Sequence, residues 1–236
     1  MINIHTFDSA VAISDGHYRN PNKTDESHYA LMSILNPAKY DLLALLGDNI
    51  DMTRSSRPSK HEAEFMARCS QFKHCVVILG NHEYPYYRAA GIYFDYGLEK
   101  ICKKYRFYSG GELIILEHGH RFDPNCNGEN ALYWNRALVR ATTFLDKLFK
   151  CDVQEYLREK RWIDKALRDI ENDKGIMQRA IKKYEAHDAW VIIGHRHAPY
   201  INYKKKFADC GDWIHNRSYV TIENGKVELH EAKNEK

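Results

Sequence analysis

Five short stretches collect the side chains that bind metals and move protons. They are Asp15-Gly16-His17, Gly47-Asp48-Asn49-Ile50-Asp51, Gly80-Asn81-His82-Glu83, His118-Gly119-His120 and Gly194-His195-Arg196-His197. In an extended segment residues i and i+2 project to the same side. Asp15 with His17, and His195 with His197, therefore each aim two donors into one space. Carboxylate, amide and imidazole ligands together suit Mn²⁺, Fe, Zn²⁺, Co²⁺ or Mg²⁺. Each stretch alone has an ordinary explanation, since Asp often caps helices and His is at home in polar loops. Their recurrence in one chain points instead to a shared site.

The elements that would position them are legible around them. Residues 11–14, 42–46, 75–79, 113–116 and 190–193 are apolar runs of four or five residues, the pattern of buried strands. Each of the five polar stretches follows one of these runs, and in open α/β sheets ligands bind at the carboxyl ends of strands. Helical patterns lie between them. Asp25 is a capping residue for a helix that must stop before Pro37. Pro58 suits the first turn of a helix running to Phe72. Residues 91–105 carry Ile92, Leu98, Ile101 and Cys102 at helical spacing. The alternation predicts an α/β layered fold. Near the end, Asn224-Gly225 between alternating segments signals a hairpin.

Residues 129–188 break this rhythm, with no strand pattern and apolar positions (Leu138, Leu145, Leu148, Phe149; Tyr156, Ile163, Leu167, Ile170) at helical spacing. This reads as a helical insertion, either a lid or ordinary helices packed on the sheet. With 236 residues, 44% of them apolar, the chain suits a single domain, 1–236, containing that insertion. The net charge of +3 is too small to imply nucleic acid by itself. Six cysteines without a CxxC pair, and an N-terminus unlike a signal peptide, predict reduced thiols and a cytoplasmic protein.

The ordered series D-x-H, G-D-x-x-D, G-N-H-E, H-G-H and G-H-x-H resembles the calcineurin-like metallophosphoesterase superfamily. The resemblance runs from residue 15 to residue 197. It implies an α/β fold of two packed β-sheets flanked by helices, a four-layer sandwich, with the helical insertion added. It also implies two divalent metal ions, with manganese the first expectation among the metals above. Asp15, His17 and His197 would hold one ion, Asn81, His118 and His195 the other, and Asp48 would bridge both. His82 would steady the transition state and protonate the leaving oxygen, with Asp51 orienting it. His120 matches no ligand position and is left behind the ligands or facing substrate. The activity implied is hydrolysis of a phosphoester or pyrophosphate bond, with no protein nucleophile required.

The second stretch reads Asp48-Asn49-Ile50-Asp51-Met52-Thr53, unlike the G-D-x-V-D-R-G of the serine/threonine phosphatases of the superfamily. The insertion, and the segment 209–229 after the last motif, resemble the UDP-2,3-diacylglucosamine pyrophosphatase group. That likeness implies a nucleotide-linked lipid pyrophosphate cleaved to UMP and a lipid phosphate, with peripheral contact to the inner membrane face through residues 129–188. His82 departs from that group, whose well-studied members have Arg there. The alternative is a soluble phosphodiesterase or nuclease with the same two metals. A nuclease needs a basic track with interleaved aromatics, and Lys204-Lys205-Lys206 with Tyr200 and Tyr203 is a short one. A third reading, a binding scaffold without turnover, would have lost ligands, and none of the seven is missing.

Overall fold

The computed structural model describes residues 4–20, 23–52, 57–98, 100–124, 126, 137 and 175–232. Among the described residues, twelve strands form two mixed six-stranded sheets. The first sheet contains β2 (Ser9–Ile13), β3 (Leu42–Leu45), β4 (His74–Ile78), β5 (Lys100–Cys102), β11 (Ser218–Glu223) and β12 (Lys226–Glu231), in the order β12-β11-β2-β3-β4-β5. The second contains β1 (His5–Thr6), β6 (Lys104–Ser109), β7 (Glu112–Glu117), β8 (Trp190–Ile193), β9 (Tyr200–Asn202) and β10 (Phe207–Asp209), in the order β1-β6-β7-β8-β10-β9.

The strands alternate with a period of two, and both faces are apolar because both are covered. Ala10 and Ala12 of β2, Leu42 and Ala44 of β3, and Val76 and Ile78 of β4 face the second sheet. There they join Phe107, Ile114, Leu116, Trp190, Ile192 and Ala208 in the core between the sheets. Val11, Ile13, Leu43, Leu45 and Val77 face the other way, with Leu31, Phe65 and Tyr93 from α1 (Asp25–Ile34), α2 (Glu62–Cys69) and α3 (Tyr86–Asp95). On the far side of the second sheet, residues 175–184 form a helix, α4. Its Ile176, Ala180 and Tyr184, four residues apart, pack with Ile115, Val191, Ile193 and Phe207. The result is helices, sheet, sheet and helix in four layers.

All five predicted strands are present with ends shifted by up to two residues, and the hairpin is a two-residue turn. Asn224 and Gly225 both have positive φ, 49° and 83°, as a type I′ turn requires. Three helix readings need correction. The cap of α1 is Thr24, whose hydroxyl accepts from the Ser27 N–H at 3.1 Å, and Asp25 is instead the first helical residue. The second helix starts at Glu62 rather than near Pro58, and stops at Cys69, short of Phe72. The helical reading of 91–105 holds only as far as Asp95. Gly97 (φ 76°) closes α3: its N–H bonds the Phe94 carbonyl at 2.8 Å and the Leu98 N–H bonds that of Tyr93 at 3.0 Å. These two bonds form a Schellman cap, after which Ile101 and Cys102 turn into an edge strand paired with β4. Of the insertion, α4 and the segment leading to β8 are described, together with Ala137; the remaining apolar positions expected at 138–170 lie outside the described residues.

Candidate metal centre

Strands β2, β3 and β4 run parallel and adjacent in one sheet, and β7 and β8 run parallel and adjacent in the other. Their carboxyl ends lie at the same end of the sandwich, so the five polar stretches meet there. Bonds between the sheets fix the meeting. His118 Nδ1 lies 2.6 Å from the Leu46 carbonyl, and the His195 N–H donates to Asp15 Oδ2 at 2.9 Å. The approach is too close for side chains at three positions, one of them Gly47, where a Cβ would meet His118 Nδ1 at 2.6 Å. A Cβ on Gly80 would collide with Asp48 Oδ1, and one on Gly194 with Ser14 Oγ.

Five of the seven predicted metal ligands have left-handed backbones: Asp15 (φ 54°), His17 (47°), Asp48 (53°), His195 (75°) and His197 (54°). Such conformations are uncommon outside glycine. They cost on the order of 1–3 kcal/mol each and cluster at functional sites.

Among the described residues four groups of potential metal donors meet here: Asp15 with His17 and His197, Asp48 with His118 and His195, His17 with Asp51 and His82, and Asp123 with Cys126 and His195; the predicted histidine and carboxylate ligands fill the first two. In the first, His197 Nε2 lies 3.0 Å from Asp15 Oδ1 and 3.2 Å from His17 Nε2, while His17 Nε2 lies 3.5 Å from Asp15 Oδ1. Ligand atoms about 3.3 Å apart are what a tetrahedral ion with bonds near 2.0–2.1 Å requires, so this group fits a cation. In the second, His118 Nε2 is 3.2 Å from both Asp48 Oδ2 and Asn81 Oδ1. His195 Nε2 is 3.0 Å from Asp123 Oδ2, which leaves Nδ1 as its nitrogen for an ion.

Asp51 links the first group to His82. One oxygen is 3.0 Å from His82 Nδ1 and the other 3.4 Å from His17 Nδ1. The His82 and His197 side chains are 23% and 39% exposed, whereas those of His17 and His118 are shut in, so the site opens on the His82–His197 side.

Burial opposes every charge here, and charge pairing decides the outcome. For Asp15, burial raises the carboxyl pKa, but the His197 charge and hydrogen bonds from His17 and His197 hold it well below its usual range. Burial likewise works against charge on His17 and His118. Hydrogen bonds to Asp15 and Asp51 lift His17 to about 9, and the charge of Asp48 leads the effects that lift His118 to about 10. His82 is also raised, the Asp51 and Asp48 charges outweighing burial. On His195 burial prevails and the imidazole is lowered. His120, pushed down to about 3 by burial and then by the neighbouring His118 and His195 charges, lies with Nε2 3.2 Å from the Tyr86 hydroxyl.

Three contributors have roles that the sequence does not show, although Glu83 lies within the stretch Gly80-Asn81-His82-Glu83. Glu83 is fully buried and accepts backbone N–H bonds from Gly80 (2.7 Å), Asp48 (3.2 Å), Asn49 (3.1 Å) and Ile50 (3.3 Å), with the Tyr93 hydroxyl also bonded to it. It thereby ties the loop after β3 to the loop after β4. Asp123 holds His195 as described. Asp212 takes the Ile214 and His215 N–H groups at 2.7 and 2.6 Å and stands 3.9 Å from His197 Nδ1. Each is a single acidic residue whose partners are fixed only by tertiary structure.

The calcineurin-like phosphoesterase family profile matches residues 9–222, and the chain belongs to that family. Together with the donor groups, membership supports a metal-dependent hydrolase. A phosphoesterase of E. coli, Yfce, is similar in structure with a TM-score of 0.52 and 11% identity, covering 97% of this chain and 95% of that one. A conserved protein of Streptococcus pneumoniae TIGR4, described as a predicted phosphoesterase, has 17% identity and a TM-score of 0.41, covering 98% and 95%. Vacuolar Protein Sorting 29 from Cryptosporidium parvum has 11% identity and a TM-score of 0.44, covering 95% and 96%. No curated protein matches the chain. Nothing in these similarities singles out the UDP-2,3-diacylglucosamine pyrophosphatase group.

Proposed function

We propose that the protein is a two-metal phosphodiesterase acting on small phosphoesters. The observation that carries this reading is the side-by-side placement of Asp15, His17 and His197 with Asp48, His118, His195 and Asn81 at one sheet end. In this reading Asp15, His17 and His197 hold one divalent cation, Asn81, His118 and His195 the other, and Asp48 lies between them. Paired cations lower the proton affinity of water and offset charge on phosphoryl oxygens. His82 stands at the open side with its Nδ1 against Asp51. A carboxylate on one ring nitrogen orients an imidazole and favours its proton, so His82 delivers a proton to the leaving oxygen.

The narrower substrate, UDP-2,3-diacylglucosamine, rests on the sequence of the insertion and of the segment after the last motif. It is tested by UMP release alongside the general assay. Among the described residues no helix is long and apolar enough to cross a membrane. The basic track a nuclease would use is shortened, because Lys206 pairs with Glu112 at 2.8 Å and Asp188 at 3.0 Å.

The decisive variant is Asp48→Asn. Asn tolerates a left-handed backbone and keeps an acceptor for the His82 N–H, 2.8 Å from Asp48 Oδ1, so the fold is retained while the charge is lost. Hydrolysis of an aryl phosphodiester in Mn²⁺ should disappear with the circular dichroism spectrum unchanged. Native turnover in that variant would refute the two-metal reading.

A further inference from the structure

Away from the strand ends, the starts of α1 and α2 bring together another group of metal-binding side chains. The sequence carries Asp25-x-x-His28 at the first and His61-x-x-Glu64 at the second. Residues three apart are neighbours on a helix surface, so each pair presents two donors to the other helix. His28 Nε2 is 3.0 Å from Glu64 Oε2, His61 Nδ1 is 3.8 Å from the same oxygen, and His61 Nε2 is 2.9 Å from Asp25 Oδ1. One donor atom from each of His28, His61 and Glu64 lies within 4.8 Å of the others. We propose that this group is a metal site separate from the strand-end centre, selective for zinc or a similar borderline divalent cation such as Ni²⁺ or Cu²⁺.

The chemistry of His28 fits a ligand. Its side chain is fully buried and its Nδ1 lies 2.8 Å from the Tyr18 hydroxyl. Metal-binding histidines almost always have the other ring nitrogen hydrogen-bonded in this way. A tyrosine hydroxyl can accept as well as donate. Nδ1 can therefore carry the ring proton and leave the Nε2 lone pair for an ion. Burial lowers the His28 pKa, keeping the ring neutral. Two imidazoles and a carboxylate are a zinc donor set, and Asp25 Oδ1 lies against the His61 nitrogen Nε2.

One rearrangement is required. The His28 and His61 rings stack with centroids 4.0 Å apart and planes 11° apart. Parallel rings cannot both point in-plane lone pairs at one ion, so binding turns His61 out of the stack. His61 stands at the N-cap of α2 without a capping bond from its side chain, so no cap is lost when it turns. The Lys60–Asp25 contact at 2.8 Å is exposed, and pairs of that kind contribute little. An ion held here ties α1 to α2 and, through Tyr18, to the loop that carries His17.

The test is to strip the full chain with chelator and titrate it with Zn²⁺ by calorimetry and elemental analysis, beside His61→Ala and Glu64→Gln. The Glu64 side chain is 54% exposed, so the Gln variant keeps the fold. Each variant should bind one zinc equivalent fewer than the native chain, while cleaving an aryl phosphodiester in Mn²⁺ at the native rate. Equal zinc equivalents in all three proteins would overturn the proposal.

Discussion

His82 and Asp51 show how a single residue pair can be separated from the metal ligands by experiment. Asp51 shares its two oxygens between His82 and His17, so removing it disturbs a proton donor and a ligand together, whereas removing His82 disturbs only the donor. His82→Ala should therefore lower kcat by about 10²–10⁴-fold, the usual worth of general acid catalysis, with metal content unchanged. The loss should be smallest for esters whose leaving groups need no proton, such as nitrophenolate. Equal losses for nitrophenyl and alkyl esters would remove His82 from that role. At this scale the sequence was informative where chemistry is local. Asp15, His17, His195 and His197 have left-handed rather than extended backbones, so the i, i+2 argument for their pairing does not hold. The roles of Asn81 and His82 were implied by the family resemblance. The five polar stretches at strand ends could be read directly. The partners Glu83, Asp123 and Asp212 could not, because a lone carboxylate acquires meaning only from the N–H groups and imidazoles that folding brings to it.

At the scale of elements, the ligand loops are held by buried polar bonds as much as by the strands. Arg19, two residues after His17, is clamped to Glu62 at the start of α2, Nε to Oε2 at 2.7 Å and Nη2 to Oε1 at 2.6 Å. Both side chains are almost wholly buried. Removing one partner of such a pair costs roughly 3–5 kcal/mol because a charge is left buried without its counter-ion. Glu62→Gln should lose that much stability in urea unfolding; a loss under ~1 kcal/mol would mean that the pair behaves as a surface contact. The elements themselves were unevenly legible. The β-runs stood out because both faces of each strand are buried, which makes them continuously apolar. The stretch 91–105 misled because Ile92, Leu98 and Ile101 match a helical stripe, whereas Gly97 ends the helix with a Schellman cap and the last of the three enters β5.

Across the whole molecule, the centre exists because two sheets end at the same place. The pairing of those sheets was implied by family resemblance rather than by periodicity, since strand patterns do not state which sheet a strand joins. The charge arrangement of that end has a consequence for proton linkage. In the metal-free protein His17 is raised to about 9 and His118 to about 10. Their stabilising protonation is fully present below the unfolded value near 6.5, and it is lost as pH rises through 9 and 10. Asp15 and Asp51, both lowered, contribute stability above about 4, lost as pH falls through their folded values. Lys23, which burial brings down to about 7, has the opposite slope to the histidines in the alkaline window, but it is common to the metal-free and metal-loaded chains. The difference between the two states therefore isolates the ligands. Imidazoles must be unprotonated to bind a cation, so binding near neutral pH displaces protons from His17 and His118. Calorimetric titration with Mn²⁺ in buffers of different ionisation enthalpy should show net proton release at pH 7. The rise in thermal midpoint produced by saturating Mn²⁺ should grow steadily between pH 6.0 and 8.5. A rise that is constant or shrinks over that range, with no proton released, would mean that these two histidines do not face the metal.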